Sequence, residues 1–413
     1  MIWTWVWSGN ALSGARGARV RRCGLTHSNW TYPTQIYVGP GRRAELSGYC
    51  GALNIQRPLV VTDRMLLALP LIQEVLAELL LQGLSPGVFS EVDGNPTGSE
   101  VEAGCQAFLA GGHDGVLAIG GGSAMDVGKT IAVMAHQRCG LWDLEDIGDQ
   151  WQRADASVIQ PIIAVPTTAG TGSEVGRAAL IVEAASRRKV IIFHPQMLPK
   201  IVLLDADFTV GLPPHLTAAT GMDALSHLLE AYCSPVFHPM AEGIARQGMI
   251  IVRDYLARAV ANGADLEART QMQIASMMGA TAFQKGLGAM HALAHPLGAH
   301  HNAHHGLLNA VLMPYVLQAN RSVIEAPLAL LARQLEIGTA CEDFLAWVLA
   351  LRDEVGIPHR LSDVLSEALE VPAIARAAVL DPSAATNPIT FKMKDFERVL
   401  RAAMSGEVES ASP

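Results

Sequence analysis

The segment 114-DGVLAIGGGSAMDVGKTIAVMA-135 is the most informative part of the sequence for the fold of the N-terminal half. An apolar run leads into three consecutive glycines and a serine, and a second apolar run follows, which predicts a strand, a tight turn and a helix. Glycines at such a turn let backbone N–H groups approach a phosphate, and the first turn of a helix favours negative charge. The spacing is neither the GxGxxG fingerprint nor a Walker A loop. A tight turn without a ligand is therefore the alternative interpretation.

Short apolar runs rich in β-branched residues recur on both sides of this stretch. They are RPLVVTD (57–63), PGVFSEVDGNPT (86–97), QPIIAVPTTAGTGSEV (160–175), RKVIIFHP (188–195) and KIVLLDAD (200–207). Alternation of such runs with helical stretches predicts an α/β nucleotide-binding domain over residues 29–213. Its sheet is expected to be mostly parallel and Rossmann-like, with helices on both faces.

The alternation stops after GLPP (211–214). Helical windows at 215–233, 239–262, 267–284 and 324–336 predict an all-α domain over residues 214–413. Residues 1–28 carry a short apolar patch followed by arginines, the reverse of the order in a secretory signal. We expect a disordered extension there, or residues upstream of the natural start. A transit peptide is the other interpretation.

The composition limits the classes of function. Half of the 413 residues are hydrophobic and 17% are charged, which predicts a large buried core. The formal net charge of −9 argues against a partner with a phosphate backbone. The sequence also lacks an apolar run long enough to span a bilayer. The six cysteines are scattered without CxxC pairs, which favours a reducing, cytoplasmic location.

Polar and small residues follow three of the predicted strands. Asp63 ends the run at 57–63. Gly121, Gly122 and Ser123 follow the run that begins at residue 114, and PTTAGTGSE (166–174) follows the apolar residues of the run at 160–175. Open α/β sheets bind ligands at the carboxyl ends of their strands, and a carboxylate there accepts hydrogen bonds from a ribose and repels a 2′-phosphate. Together these positions favour a dinucleotide, NAD over NADP. The alternative for Asp63 is a helix N-cap.

Histidines concentrate in the helical half. MHALAHPLGAHHNAHHGLLN (290–309) holds six of the chain's 14 histidines. His291 and His295 are four apart in an apolar helical segment, as are Asp223 and His227 in TGMDALSHLLEAY (220–232), so each pair shares one helix face. A carboxylate with several imidazoles suits Fe²⁺, Zn²⁺, Co²⁺ or Ni²⁺. The alternative is surface histidines. That reading is preferred for His300, His301 and His304, which are expected in a loop.

These motifs together resemble the iron-containing (group III) alcohol dehydrogenases, within the dehydroquinate synthase-like fold. The matching stretches lie between about residues 31 and 405. They are GGGSAMDVGK (120–129), PTTAGTGSEV (166–175), TGMDALSHLLEAY (220–232), HALAHPLG (291–298), HHGLLNAVLMPYV (304–316), TNPIT (386–390) and DFERVL (395–400).

The resemblance implies an active site in the cleft between the two domains. The implied metal ligands are Asp223, His227, His291 and His305, with iron named first from the family and zinc as the alternative. His295 matches a histidine beside the nicotinamide, and we hypothesise that it relays the released proton. The positions implied to contact NAD are Asp63, Asn95, Pro96, Thr97, Gly121, Gly122, Ser123, Thr167, Thr168 and Lys189.

The implied activity is reversible hydride transfer between NAD and a small primary alcohol. The segment AFQKGLGAMHALAH (282–295) is one residue shorter than in many members and resembles the 4-hydroxybutyrate dehydrogenase branch, which suggests an ω-hydroxy acid. Ala303 and His304 depart from the usual loop and change the expected substrate fit. Alternatives are a hydroxyacid–oxoacid transhydrogenase, a glycerol dehydrogenase-like enzyme and, least favoured, a non-catalytic NAD-binding protein. A homo-oligomer, dimer or larger, is the family expectation.

Overall fold

The computed structural model describes residue 32 and residues 34–185 and 188–408. The predicted extension over residues 1–28 lies outside the described residues. The strands are β1 (Gln35–Val38), β2 (Pro58–Val61), β3 (Gly87–Phe89), β4 (Gly115–Gly120), β5 (Ile162–Pro166), β6 (Ala178–Glu183), β7 (Arg188–Phe193) and β8 (Ile201–Leu204).

The main sheet is parallel throughout. Among the described residues it has six strands in the order β1-β8-β5-β4-β2-β3. Successive residues of one strand enter two different cores: Val116 and Ala118 of β4 pack on one face, whereas Leu117 and Ile119 pack on the other. Both faces are therefore covered, which explains why these strands are apolar without alternation. The predicted fold class of this half is confirmed.

One predicted strand lies elsewhere. RKVIIFHP (188–195) forms β7, which pairs antiparallel with β6 from Ala178 opposite Phe193 to Glu183 opposite Arg188. This pair is a separate two-stranded sheet. The apolar run predicted a strand correctly. Such a run is compatible with either pairing, and this one lies in the separate antiparallel pair, not in the parallel sheet.

The α-helices are joined to the strands and to one another by loops and short 3₁₀ turns. The helices are α1 (Leu46–Ala52), α2 (Arg64–Leu67), α3 (Pro70–Leu81), α4 (Gly98–Gly111), α5 (Gly122–Met134), α6 (Pro214–Cys233), α7 (Pro239–Ala261), α8 (Leu266–Ala282), α9 (Ala289–His301), α10 (His305–Gln334), α11 (Cys341–Glu354), α12 (Val371–Leu380) and α13 (Met393–Ser405).

Three of the helical windows match α6, α7 and α8 closely, and the fourth is only the second half of α10. That helix continues through Pro314 and Pro327, where a sequence pattern predicts a break. His300 and His301 form the last turn of α9 rather than a loop, so their expected loop position was wrong. One large apolar core unites α6 to α13. No helix among the described residues has the length and apolar character to cross a membrane.

Candidate metal centre and cofactor edge

Four side chains from three helices converge in the helical half. Asp223 and His227 come from α6, His291 from α9, and His305 from the first position of α10. One ligand atom from each lies within 4.8 Å of those of the other three. Asp223, His227 and His291 are buried, and His305 is partly exposed. These are the four residues that the family resemblance implied as ligands, now placed together.

A glycine allows two of the ligand helices to meet. Gly306 follows His305, and a Cβ added there would lie 2.5 Å from the Ala219 carbonyl oxygen and 2.9 Å from Asp223 Cβ. Any larger residue would therefore push the start of α10 away from α6. The close approach places His305 Nε2 3.8 Å from Asp223 Oδ1.

Asn309 lies among the four side chains, and sequence reasoning missed it. Its Nδ2 is 2.8 Å from Asp223 Oδ1, 3.2 Å from His291 Nε2 and 3.1 Å from His305 Nε2. An amide nitrogen carries two hydrogens, so it cannot satisfy three acceptors at once. Three lone-pair-bearing atoms thus converge on one partly positive group. A divalent cation would satisfy the same convergence, so this donor set fits a metal. The available signal was the spacing of four from His305, which puts both residues on one face of α10.

Burial keeps two of the imidazoles neutral. It lowers the pKa of His227 to about 4 and that of His305 well below its usual range. Burial also opposes the charged form of His291, but the nearby Glu230 carboxylate outweighs it and raises the pKa of His291. A metal requires an unprotonated ring nitrogen, so neutral His227 and His305 are ready to bind one at neutral pH.

Two carboxylates hold two of the four histidines of α9. His291 Nδ1 lies 2.6 Å from Glu230 Oε2, and His295 Nδ1 lies 2.8 Å from Asp381 Oδ2. The His295 ring stacks on that of His305, with ring centroids 5.4 Å apart and an interplanar angle of 10°. His295 is therefore beside the four converging residues. Sequence reasoning identified neither Glu230 nor Asp381.

Several of the predicted cofactor positions follow neighbouring strands of the main sheet. Asp63 comes after β2, Gly121 after β4 and Thr167 after β5, and these three strands are adjacent in the sheet. Their carboxyl ends share one edge, at which α5 also begins. Gly121 is the N-cap of α5 without a capping side chain. Gly122 packs closely against Thr171, because a Cβ there would lie 2.8 Å from Thr171 Cγ2.

Asp63 is a helix N-cap, as the alternative interpretation of its sequence position predicted. Its Oδ1 accepts hydrogen bonds from the backbone N–H groups of Met65 and Leu66, at 2.9 and 2.8 Å. It therefore caps α2. The capping bonds use a single carboxylate oxygen, so helix capping and a ribose contact are compatible.

The segment Asn95–Pro96–Thr97 precedes α4 and faces the helical half. Asn95 Nδ2 donates to Asn302 Oδ1 at 2.7 Å, across 207 residues of sequence. Asn302 has a φ of 49° and follows α9 directly. Thr97 caps α4 in a capping box with Glu100. This segment therefore contacts the loop that leads to His305.

Other predicted cofactor positions have structural contacts of their own. Ser123 Oγ donates to the Gly94 carbonyl at 2.8 Å. Thr167 is buried, and Thr168 lies 3.4 Å from where a Cβ of Gly121 would stand. Lys189 projects from β7 towards α9, with its Nζ 3.7 Å from a Cβ built on Gly298. Burial lowers the pKa of its ammonium group, and the negative charges of Asp126 and Asp223 partly oppose that shift.

A buried polar cluster fastens α5 to the loop after β5. Lys129 Nζ donates to Ser173 Oγ at 2.6 Å and to the Ala178 carbonyl, and Ser173 Oγ donates to Asp126. Glu174 is next to this cluster, and burial raises the pKa of its carboxyl to about 7. The cluster therefore holds the small-residue loop against the start of the glycine-turn helix.

Comparison with known families agrees with this arrangement. A family model described as "Iron-containing alcohol dehydrogenase" matches residues 33–206, and one described as "Fe-containing alcohol dehydrogenase family, C-terminal" matches residues 217–404. The chain belongs to the iron-containing alcohol dehydrogenase family.

Relatives of this iron-containing alcohol dehydrogenase match it over nearly its whole length. The 4-hydroxybutyrate dehydrogenase of Cupriavidus necator is 38% identical over 385 residues, covering 90% of this chain and 99% of that protein. The crystal structure of a 1,3-propanediol oxidoreductase is 31% identical, with a TM-score of 0.87, and covers 92% of this chain and 100% of that one. Sulfoacetaldehyde reductase from Bifidobacterium kashiwanohense, solved with NAD⁺, is 26% identical with a TM-score of 0.84 and covers 92% and 100%.

These findings confirm three of the predictions. The family resemblance is confirmed. The predicted fold class, an N-terminal α/β half with a parallel sheet and an all-helical C-terminal half, is confirmed as well. Membership also confirms that this iron-containing alcohol dehydrogenase is an oxidoreductase acting on alcohols. The individual site residues stay predictions.

Proposed function

We propose that the protein catalyses reversible hydride transfer between NAD and a small primary alcohol, with ω-hydroxy acids such as 4-hydroxybutyrate as the substrate class. The observation that carries the proposal is the convergence of ligand atoms of Asp223, His227, His291 and His305 to within 4.8 Å. They lie near the loop that follows β5, because Gly170 of that loop packs against Thr220 on the helix that carries Asp223 and His227. The substrate class is supported by the 38% identity to a 4-hydroxybutyrate dehydrogenase.

Asp223, His227, His291 and His305 would hold one divalent metal ion, iron by family and zinc as the alternative. When bound, that ion would supply a Lewis acid that favours the alkoxide form of an alcohol and polarises an aldehyde carbonyl. The chain's own contribution is to collect neutral imidazoles at one point. Burial lowers the pKa of both His227 and His305, so neither has to lose a proton at neutral pH.

The cofactor would bind along the edge formed by β2, β4 and β5. The start of α5 offers uncapped N–H groups to a diphosphate, which is the usual use of such a turn. Asp63 would accept from the ribose of NAD and repel the 2′-phosphate of NADP. Lys189, between this edge and Asp223, would approach the nicotinamide end. The full proposed set is Asp63, Asn95, Pro96, Thr97, Gly121, Gly122, Ser123, Thr167, Thr168 and Lys189.

His295 would receive the proton released from the alcohol, directly or through water. Its Nδ1 is 2.8 Å from the Asp381 carboxylate, which favours the tautomer with a proton on Nδ1 and a free lone pair on Nε2. Its ring stacks on His305, so it is close to the proposed metal without being one of the four converging residues. Such a group can accept a proton while the metal ligands stay in place.

Three further proposals concern organisation. We place the domain boundary between residues 213 and 214, where α6 begins after the last strand of the sheet. We propose a homo-oligomer of two or more chains, with neither nucleic acid nor membrane as a partner. The cysteines described by the structure are all free, which supports a reducing, cytoplasmic location.

The proposal is tested by NAD⁺ reduction with alcohols, diols and ω-hydroxy acids of two to six carbons, with metal analysis of the same sample. We expect an ω-hydroxy acid to give the highest kcat/KM and close to one divalent metal per chain. A diol as the best substrate would overturn the ω-hydroxy acid assignment. Transfer to a 2-oxo acid without added NAD would instead indicate a transhydrogenase.

A further inference from the structure

Glu230 is a buried carboxylate near the metal centre and is not one of its four converging residues. It lies three residues after His227 on α6, and its residue is 5% exposed. Its oxygens meet three donors from the start of α9: Gly288 N at 2.8 Å, Met290 N at 2.7 Å and His291 Nδ1 at 2.6 Å. A buried carboxylate is costly unless it is paired in this way.

Two of these contacts cap the helix that carries His291. The N-cap of α9 is Gly288, which has no side chain to satisfy the first N–H groups. Glu230 accepts from two of them, and Asn387 Oδ1 accepts from Ala289 N at 3.1 Å. A Cβ at Gly288 would lie 2.8 Å from Glu230 Oε1 and 2.9 Å from Asn387 Oδ1, so a larger residue would displace both acceptors. A side chain from α6 therefore stabilises the N-terminus of α9, where negative charge is favourable.

The third contact determines which ring nitrogen of His291 is available. A carboxylate accepts hydrogen bonds, so the ring must carry its proton on Nδ1. The lone pair then lies on Nε2, the atom that faces Asn309 among the converging side chains. One glutamate thus fixes the tautomer of His291, the angle of its ring and the position of its helix relative to His227.

We propose that Glu230 is a positioning residue of the metal centre, which acts on the metal through His291. The inference rests on the proposed function, because it assumes that the four converging residues bind a divalent ion. Replacing a carboxylate that orients a ligand histidine typically weakens metal binding by about 10- to 100-fold. Glu230 gains a second effect by capping the helix that also carries His295.

The test compares Glu230→Gln with Glu267→Gln. Glutamine keeps the volume, but its NH₂ group faces at least one donor at this site and leaves it without an acceptor. Glu267 is a matched control because it too is a glutamate on a helix with hydrogen-bonded partners. Its side chain is 62% exposed, however, and it pairs with Arg258. We would measure Co²⁺ affinity by competition with a chromophoric chelator, and the visible spectrum of the Co²⁺ form.

We expect Glu230→Gln to weaken Co²⁺ binding by about 10- to 100-fold and to shift the visible bands, with Glu267→Gln unchanged. Affinity and spectrum within twofold of the wild type would overturn the positioning role. If wild-type protein itself binds no Co²⁺, the proposed function fails, and the proposed effect on metal affinity fails with it.

A second measurement is made on the wild-type protein and does not depend on the folding of Glu230→Gln. Long-range ¹H–¹⁵N correlations of the histidine rings in metal-free wild-type protein, recorded at a pH at which His291 is neutral, report the tautomer, with His291 assigned by its absence in His291→Ala. We expect the proton of His291 on Nδ1. A proton on Nε2 would overturn the inference while leaving metal binding by the four residues untouched.

Discussion

Gly306→Ala tests the packing that brings the two ligand-bearing helices α6 and α10 together. A Cβ at this position would lie 2.5 Å from the Ala219 carbonyl oxygen, whereas ordinary contact begins near 3.4 Å. The start of α10 would therefore move by up to about 0.9 Å, the difference between these distances. One neighbour is a backbone oxygen and the other is the Cβ of Asp223, and neither atom can rotate away.

The expected cost has two parts. Overpacking of this kind typically destabilises a protein by about 1–3 kcal/mol, which outweighs the gain of up to about 1 kcal/mol from alanine in a helix. His305 is the adjacent residue, so the shift also separates its ring from Asp223. Binding sites tolerate displacements of only about 0.5 Å. We therefore expect metal affinity to fall by at least about tenfold, within the range found for misplaced ligands.

Gly243→Ala is the matched control. Gly243 lies within α7, is exposed, and has no heavy atom within 4 Å of an added Cβ. Alanine there should stabilise the protein by about 0.5–1 kcal/mol and leave metal affinity unchanged. Urea unfolding gives the free energies, and Co²⁺ competition gives the affinities. Wild-type stability and affinity in Gly306→Ala would refute the claim that close helix approach assembles the site.

Three further predictions concern the reaction, the cofactor and stability. His295→Ala should lower kcat by about 10²–10⁴-fold with unchanged metal content, because the residue transfers a proton and is not a ligand; a steady-state rate close to wild type would remove that role. Asp63→Ser keeps a helix-capping side chain but removes the charge, so stability should stay within about 0.5 kcal/mol. Its ratio of kcat/KM for NADP⁺ over NAD⁺ should rise, and an unchanged ratio would exclude Asp63 from the ribose contact. Burial raises the pKa of Glu174 from 4.5 to about 7, so the folded state binds more protons than the unfolded state between these pH values. Wild-type stability relative to Glu174→Gln should therefore fall by up to about 3 kcal/mol between pH 4.5 and 7, measured by urea unfolding, and a difference independent of pH would contradict this.

The main sheet could be predicted because its strands are buried on both faces. Continuous apolar runs that end in glycine or an acid mark such strands, as 115–120 does before Gly121. The pairing of β7 could not be predicted, because the same residues suit a parallel or an antiparallel partner. The full length of α10 was also hidden, since Pro314 and Pro327 predict breaks that packing against neighbouring helices overrides.

The residues of the metal centre also include some that the sequence could predict and some that it could not. Spacing of four on a helix placed Asp223 with His227 and predicted the orientation of His291, because helix geometry is local. Glu230 and Asp381 act across 61 and 86 residues of sequence, and such contacts exist only after the helices pack. Glu230 did offer a local signal, since a spacing of three puts it near His227 on α6. Asp381 has none.

Metal titration of the apoenzyme shows whether the four converging residues bind the metal that the reaction needs. Chelator-treated protein would receive increasing Fe²⁺ or Zn²⁺, and NADH formation from the best alcohol would be followed beside His291→Ala. We expect no activity without metal, a rise in activity that ends at one equivalent of metal per chain, and no rise in His291→Ala. Full activity in metal-free protein would contradict this expectation.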